Sequence, residues 1–205
     1  MKNNYELSRD RAQAWFLRFD QQTLIRNWGL RHDAAYLYVT FLGKPYAIRR
    51  CDGVVTHVGD GTQAQFEEVL SIFDLLCHEG ENKQLSAKFA PVNSLKGRPP
   101  TAGVDTNFYS KTAATFDREP ELFRRACLAV GGVPVDMGDI GFRFPIFDSM
   151  TAILKFYRSD EDFPAGITLL WDENTLQYMF YETVFYVAGA LLAQITEQMG
   201  KEKQV

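Results

Sequence analysis

The last third of the chain ends in a long apolar segment that strongly restricts the possible folds. We predict one helix from about Glu173 to Met199, with Asp172 as its N-cap. Aliphatic residues recur at helical spacing on one face, and tyrosine and phenylalanine occupy the other faces. A helix that is apolar on most sides is usually buried, so we expect this one to lie in the core of the protein.

A membrane span is the alternative interpretation of this segment. Leu176–Ile195 has roughly the 20 residues that a span needs. Gln177, Glu182 and Gln194 interrupt it, and a carboxylate in the middle of a span is costly in lipid. We therefore favour a buried core helix and expect no membrane contact.

The first part of the chain changes from a helical to a strand pattern. Apolar residues recur at helical spacing from about Leu7 to Leu30, where Asp20 is predicted to cap a second short helix and Gly29 to end it. Strand-like segments separated by turn signals then predict a three-stranded antiparallel meander. Its strands are Tyr36–Phe41, Tyr46–Arg50 and Val54–Val58.

The middle of the chain mixes helical, irregular and strand-like patterns. A helix is predicted to begin after Gly61 or Thr62 and to end at Gly80. Prolines and glycines exclude regular structure near residues 96–103, and another helix is predicted to begin at Pro120. Three strand-like segments precede the final helix: Phe142–Phe144, Ile153–Tyr157 and Ile167–Trp171.

These elements together predict an α+β fold, in which antiparallel sheets pack with helices and the long C-terminal helix is buried in the core. No internal repeat or clear linker divides the sequence. Residues 1–205 are therefore predicted to form a single domain, with the segment near 96–103 as a candidate subdomain boundary.

Composition excludes several function classes. The net charge is -4 and no basic run is present. This argues against nucleic-acid binding, since neutralisation of phosphates supplies most of the affinity of such complexes.

The three cysteines, Cys51, Cys77 and Cys127, lack the spacing of a metal site. We therefore expect no metal, and we expect reduced thiols in the cytoplasm. The N-terminus lacks the apolar core of a signal peptide. Whether the thiols have a redox role depends on their exposure and pKa values.

Short motifs distributed along the chain resemble a known family. They include Trp28-Gly29, Val39–Tyr46, Leu128–Gly132, Gly138-Asp139 and Asp160–Ala165. In this order they resemble the DUF3786 family, a group of uncharacterised proteins from anaerobic bacteria and archaea. The resemblance implies a role in anaerobic redox or cofactor metabolism and no particular reaction. Some relatives carry four-cysteine iron–sulfur modules, but this chain lacks those cysteines, so that role is not implied here.

Two charged residues next to a predicted strand are candidates for ligand binding. Arg143 follows Asp139 after a Gly-Asp pair, and its planar guanidinium could hold a carboxylate or phosphate. The favoured alternative is a structural ion pair of Arg143 with Asp139 or Asp148, because such pairs are common at protein surfaces.

Glu182 is the first single residue that we select, because it lies in the most apolar helix. If it is buried, it needs a partner such as Lys155, Arg143 or Arg158, and it could then act as an acid/base or anchor a ligand. The alternative is a structural salt bridge or an exposed position. Arg98 is a further candidate, since the irregular segment around it could close over an anion, although a surface loop is the favoured interpretation.

Three functional hypotheses follow. The leading one is a soluble, cytoplasmic binding or accessory protein that holds a small molecule, cofactor or partner protein between the C-terminal sheet, the final helix and the Pro/Gly-rich loop. The second is an enzyme with an acid/base site built on Glu182 and Arg143 or Lys155. The third is a protein–protein interaction module. No hydrolase, dinucleotide or metalloprotease motif is present, so the ligand, cofactor, reaction, oligomeric state and even the presence of catalysis stay open.

Overall fold

Six α-helices and two antiparallel sheets form within residues 4–79, 83–100 and 109–203, the part of the chain that the computed structural model describes. The predicted α+β fold is confirmed. Contacts within the chain define two compact units. The first comprises the described residues up to Lys83 together with Gln177–Val187, and the second comprises the described residues of Gln84–Leu176 and those from Ala188 on. The single-domain assignment and the boundary near 96–103 stay predictions.

The first unit begins with two helices, α1 (Asn4–Phe16) and α2 (Gln21–Trp28). The predicted caps of α2 are both confirmed. The Asp20 carboxylate accepts hydrogen bonds from the N–H groups of Gln22 and Thr23, which have no partner inside the helix. Gly29 ends the helix with φ 59°, in the left-handed region that favours glycine.

A four-stranded meander follows in the same unit. Its strands are β1 (Arg31–His32), β2 (Tyr36–Phe41), β3 (Lys44–Arg49) and β4 (Val55–His57), in the order β1-β2-β3-β4. Alternate residues of β2 are buried, as a one-sided sheet requires. The three predicted strands are confirmed, and the two-residue β1 is too short to leave a periodic pattern.

Helix α3 (Phe66–Cys77) completes the contiguous part of the first unit. The prediction that it begins after Gly61 or Thr62 was wrong. Residues before Gln65 extend the hairpin instead, through the bridge of Gln63 with Thr56. Glu68 caps the first turn of the helix, since its carboxylate accepts the Gln65 N–H at 2.7 Å. The predicted end at Gly80 lies outside the described residues, and the helix ends at Cys77.

The second unit is built on a five-stranded antiparallel sheet. Its strands are β5 (Phe89–Pro91), β6 (Val133–Pro134), β7 (Ile140–Phe147), β8 (Met150–Tyr157) and β9 (Gly166–Asp172), in the order β5-β9-β8-β7-β6. The three strands predicted here are confirmed as β7, β8 and β9. Helices α4 (Ser110–Arg118) and α5 (Pro120–Ala129) cover one face, and Phe116 stacks on Phe123 at 4.4 Å between ring centroids.

The final helix, α6, spans Tyr181–Glu202 and so begins eight residues later than Glu173, where we predicted its start. Asp172 is the last residue of β9 and not an N-cap. Its carboxylate accepts the N–H groups of Ser86 and Ala87 as well as the Asn174 N–H. A 3-10 turn, Thr175–Gln177, separates the strand from the helix.

The expected burial of the C-terminal helix is confirmed. One face of α6 is almost fully buried, and it consists of Val184, Val187, Ala188, Leu191, Leu192, Ile195 and Met199. Among the described residues, no helix has both the length and the apolar character that crossing a membrane requires.

Candidate functional site

A cleft of about 340 Å³ opens in the first unit between α1, α3 and the beginning of α6. Its lining residues are Ser8, Arg11, Ala12, Trp15, Leu70, Phe73, Asp74, Phe180, Thr183 and Tyr186. Each helix contributes residues that are three or four positions apart, which places them on one face of that helix. Apart from Phe180, which immediately precedes α6, the lining residues therefore come from regular elements.

Aromatic rings form most of the walls of this cleft. Trp15 and Phe180 lie on opposite elements with their ring centroids 6.3 Å apart. Tyr186 is held by an edge contact with Phe66 at 5.9 Å, and Phe73 is fully buried beneath. Phe180 is 54% exposed, so its ring extends an apolar surface to the mouth of the cleft. Mostly apolar clefts with a few polar groups are typical of small-molecule sites.

Asp74 is the buried charged residue of the cleft lining, with only 3% of its surface exposed. Its Oδ2 accepts the backbone N–H of Phe180 at 2.7 Å. Phe180 immediately precedes α6, so the carboxylate faces the positive end of that helix, where an anion is favoured. The other oxygen, Oδ1, lies 3.2 Å from Nδ1 of His78. A carboxylate has about four lone-pair positions, so Asp74 keeps the capacity to accept from a ligand.

His78 directly follows α3 and is paired with Asp74 by the i,i+4 spacing of the helix. The carboxylate fixes Nδ1 as the donating nitrogen, which leaves Nε2 of a neutral ring as a proton acceptor. The imidazole also packs edge-on against the Phe180 ring at 4.7 Å between centroids. One buried carboxylate therefore orients both the His78 imidazole and Phe180, whose ring lines the cleft.

Lys83 and Cys77 lie close to this pair. Lys83 Nζ donates to the backbone oxygen of His78 and lies 5.7 Å from the ring centroids of both Trp28 and Tyr178. Burial lowers the pKa of Lys83, and the Asp74 charge partly opposes that effect. Burial raises the pKa of Cys77 to about 12, so this thiol is neutral and unreactive at neutral pH.

A second polar cluster in the first unit has a structural role. The Tyr46 hydroxyl donates to Glu68 at 2.6 Å, and the other oxygen of Glu68 lies 3.4 Å from Nε2 of His57. Burial, assisted by the hydrogen bond to Glu68, raises the pKa of Tyr46 well above its usual value. Because Glu68 also accepts the Gln65 N–H, this cluster joins the meander to the first turn of α3.

Metal binding receives no support from the geometry in the described part of the chain. No three His, Cys, Asp or Glu side chains are grouped there in a way that could hold a metal ion.

Comparison with known families identifies the group to which this sequence is related. The model of the DUF3786 family, described as a domain of unknown function, matches residues 20–194. The chain belongs to the DUF3786 family. No curated protein and no solved structure matches the sequence. The DUF3786 match includes the α3 and α6 walls of the cleft, and it begins after the cleft-lining residues of α1.

The structure of this DUF3786 chain places Glu182 in the first unit and the other four predicted site residues in the second. Glu182 is exposed in the first turn of α6. This is the exposed position that we gave as an alternative to burial, so Glu182 needs no buried partner. None of the five residues lines the cleft.

Arg143 and Lys155 are brought to one face of the second sheet. Lys155 pairs with Gly141, two residues before Arg143 on the same strand, so both side chains point to the same side. The Arg143 guanidinium lies 5.3 Å from the Phe89 ring centroid, and Lys155 Nζ lies 5.3 Å from that of Tyr157.

Asp139 and Arg98 are not joined to that pair. Asp139 lies just before β7, and its Oδ2 accepts the N–H of Arg158 at 2.8 Å. In the described structure its carboxylate thus binds a backbone group and not the Arg143 side chain with which we paired it. Arg98 is exposed, and its N–H lies 3.4 Å from the Leu95 oxygen.

Sequence reasoning missed Asp74, although one signal was present. Asp74 interrupts the buried apolar stripe of α3 between Phe73 and Leu75 and precedes His78 by one helical turn. A carboxylate at such a position must have hydrogen-bond partners. The Phe180 N–H, however, is separated from it by 106 residues, a distance that no local pattern covers.

Proposed function

We propose that this DUF3786 chain is a small-molecule-binding protein and that the cleft between α1, α3 and α6 is its binding site. The observation that carries the proposal is a buried carboxylate, Asp74, set among aromatic walls in a cleft of about 340 Å³. Ligand pockets commonly have volumes of about 300–1,000 Å³ and combine apolar walls with a few polar groups.

The setting of this activity is also part of the proposal. We place the protein in the cytoplasm, as an accessory protein in the redox or cofactor metabolism of an anaerobe. The metabolic part extends what the motif resemblance implies, and three free cysteines support a reducing compartment.

Two measurements test the binding role. Native mass spectrometry of the protein, purified without oxygen from its natural host, is expected to show a reproducible excess over the 23.4 kDa of the bare chain. Titration with N-phenyl-1-naphthylamine, a neutral dye whose fluorescence rises in apolar surroundings, reports on the apolar cleft directly. Ser8→Trp places a large ring in the cleft and is expected to reduce the bound mass and the dye fluorescence.

The matched control is Ala14→Trp, on the exposed side of the same helix. It adds the same ring outside the cleft, so both signals are expected to match those of the unaltered protein. A bare-chain mass, together with equal dye binding by the two tryptophan variants, would contradict the proposal.

A second candidate function is an acid–base enzyme, supported by the Asp74–His78 pair. A carboxylate that holds Nδ1–H of a histidine prepares Nε2 to take a proton from a bound substrate. The site first expected, Glu182 with Arg143 or Lys155, stays a proposal with less support, because Glu182 is exposed. Diethyl pyrocarbonate acylates neutral imidazoles and tests whether Nε2 of His78 faces the cleft.

The dye in the cleft is expected to slow the acylation of His78. The exposed His32 is the control and should react at the same rate with and without dye. Equal rates at His78 would count against the enzyme candidate.

A protein-binding role is the third proposal. It requires that the large apolar side chains exposed on the second unit form one contiguous patch, and these include Leu128 at 53%, Val133 at 62% and Phe163 at 70%. Light scattering coupled to size-exclusion chromatography would test it, and a monomer at every concentration would weaken the case for self-association.

A further inference from the structure

We infer that the ligand of the cleft between α1, α3 and α6 is an organic cation, a protonated amine attached to an apolar body. The inference rests on the proposed binding function and adds the chemical class of the ligand. Three features of the cleft support it. The first is a buried carboxylate that can accept further hydrogen bonds, and the second is the set of aromatic walls. The third is that the positively charged lining residue, Arg11, is exposed to solvent and so attracts an anion only weakly.

The Asp74 carboxylate is the buried charged group of the cleft lining. With 3% of its surface exposed, it has lost most of its water and gains strongly from an opposite charge. Its two hydrogen-bond partners are the Phe180 N–H and Nδ1 of His78, and the Lys83 charge acts on it through space, since Lys83 Nζ donates to the His78 backbone oxygen. Both can be present while lone pairs stay available, so an ammonium N–H can bind Asp74 without displacing either partner.

The aromatic walls favour the same ligand class. The rings of Trp15 and Phe180, whose centroids are 6.3 Å apart, and that of Tyr186 line the cleft together with Asp74. The faces of aromatic rings carry partial negative charge and attract cations, more strongly when water is excluded. A carboxylate surrounded by such rings provides both the charge and the walls that an alkylammonium group requires.

An anionic ligand is disfavoured by the placement of the positive groups. Arg11 is the lining residue with a permanent positive charge, and it is exposed on α1, where solvent weakens its attraction for an anion. Lys83 is not among the lining residues, and its Nζ donates to the His78 backbone oxygen. An anion deep in the cleft would instead lie against Asp74.

Calorimetric titration with three probes of similar shape tests the inference. The probes are 4-phenylbutylamine, 4-phenylbutan-1-ol and 4-phenylbutanoate, which are positive, neutral and negative at pH 7. The amine is expected to bind at least about tenfold more tightly than the alcohol, as a charged hydrogen bond to a desolvated carboxylate implies. The carboxylate is expected to bind most weakly.

Asp74→Asn keeps the shape and an oxygen acceptor for the Phe180 N–H but removes the charge. It is expected to weaken amine binding about tenfold or more and to change alcohol binding less than about twofold. Glu79→Gln removes an exposed carboxylate that does not line the cleft, so as the control it should leave amine binding unchanged. If Asp74→Asn does not fold, the order of the three probes on the unaltered protein decides the question alone.

The outcomes separate the inference from the proposed function. If the alcohol binds, Ser8→Trp abolishes its binding and the amine binds no more tightly, the cleft binds ligands but does not select cations, and the inference is overturned. If no probe binds the unaltered protein better than it binds Ser8→Trp, both the inference and the proposed function are overturned.

Discussion

The carboxylate of Asp74 accepts the backbone N–H of Phe180 at 2.7 Å, although 106 residues separate them. This hydrogen bond ties the end of α3 to the beginning of α6 within the first unit. It also orders the residue whose ring forms the mouth of the proposed ligand cleft. The same bond thus contributes to stability and to the shape of the cleft.

Asp74→Ala is expected to lower the free energy of unfolding by about 1–3 kcal/mol, because it leaves the Phe180 N–H and the His78 imidazole without their acceptor. Asp74→Asn, which keeps one oxygen, should cost less. Urea unfolding monitored by circular dichroism measures both. Glu182→Ala is the control, since its exposed side chain should matter by less than about 0.5 kcal/mol. Equal losses for Asp74→Ala and Glu182→Ala would contradict the role given to Asp74.

The Tyr46–Glu68 hydrogen bond predicts a pH-dependent stability. The pKa of Tyr46 is raised in the folded protein, so its contribution is complete below the unfolded-state pKa of about 10 and is lost as the pH rises through the folded-state value. Tyr46→Phe should lose about 1 kcal/mol at pH 8 and show a smaller further loss between pH 10 and 11 than the unaltered protein.

Urea unfolding at pH 8, 10 and 11 measures this dependence. Tyr157→Phe, the control, removes a hydroxyl at a residue that is 43% exposed and is expected to change the free energy of unfolding at pH 8 by less than about 0.5 kcal/mol. A Tyr46→Phe profile parallel to that of the unaltered protein would show that Tyr46 does not carry the dependence.

Local signals account for the parts of the fold that could be predicted. Asp20 accepts N–H groups two and three residues away, and Gly29 adopts the left-handed conformation at its own position. Both effects are local, so the ends of α2 could be predicted from the sequence. The longer strands β2 and β8 have enough residues to show a periodic or continuous apolar pattern. β1 and β6 have two residues each and depend on pairing with a neighbouring strand, which no local pattern reveals.

The wrong sequence predictions have a common physical cause. Hydrogen-bond partners that are distant in the sequence decide which of several local structures a residue adopts. Asp172 has the composition of an N-cap, but the N–H groups of Ser86 and Ala87 occupy its oxygens and β9 extends through it. Glu182 was selected for the apolar character of its neighbours, yet it lies on the exposed side of α6. Asp74 was overlooked because its partners come from Phe180 and His78 and are fixed only in the folded chain.

Substitution by alanine is expected to change stability in opposite directions at two glycines of the second unit. A Cβ at Gly141 would lie 2.5 Å from the Met137 oxygen and 2.7 Å from the Val135 oxygen, so Gly141→Ala should destabilise the protein by about 1–3 kcal/mol. Gly189 lies within α6 with nothing near the position of a Cβ. Gly189→Ala should stabilise by about 0.5–1 kcal/mol, since alanine favours the helix. Thermal unfolding of the two variants checks the opposite signs, and shifts in the same direction would contradict the packing described here.

The three thiols are expected to differ sharply in reactivity, because only a thiolate that solvent can reach attacks a disulfide reagent. Cys51 is exposed, whereas Cys77 and Cys127 are buried, and burial raises the pKa of both buried thiols. Native protein should therefore release one equivalent of thionitrobenzoate from Ellman's reagent within minutes, and unfolded protein should release three, one for each cysteine. Cys51→Ser is expected to remove the fast reaction completely. A fast reaction that survives this substitution would mean that a buried thiol becomes accessible in the native protein.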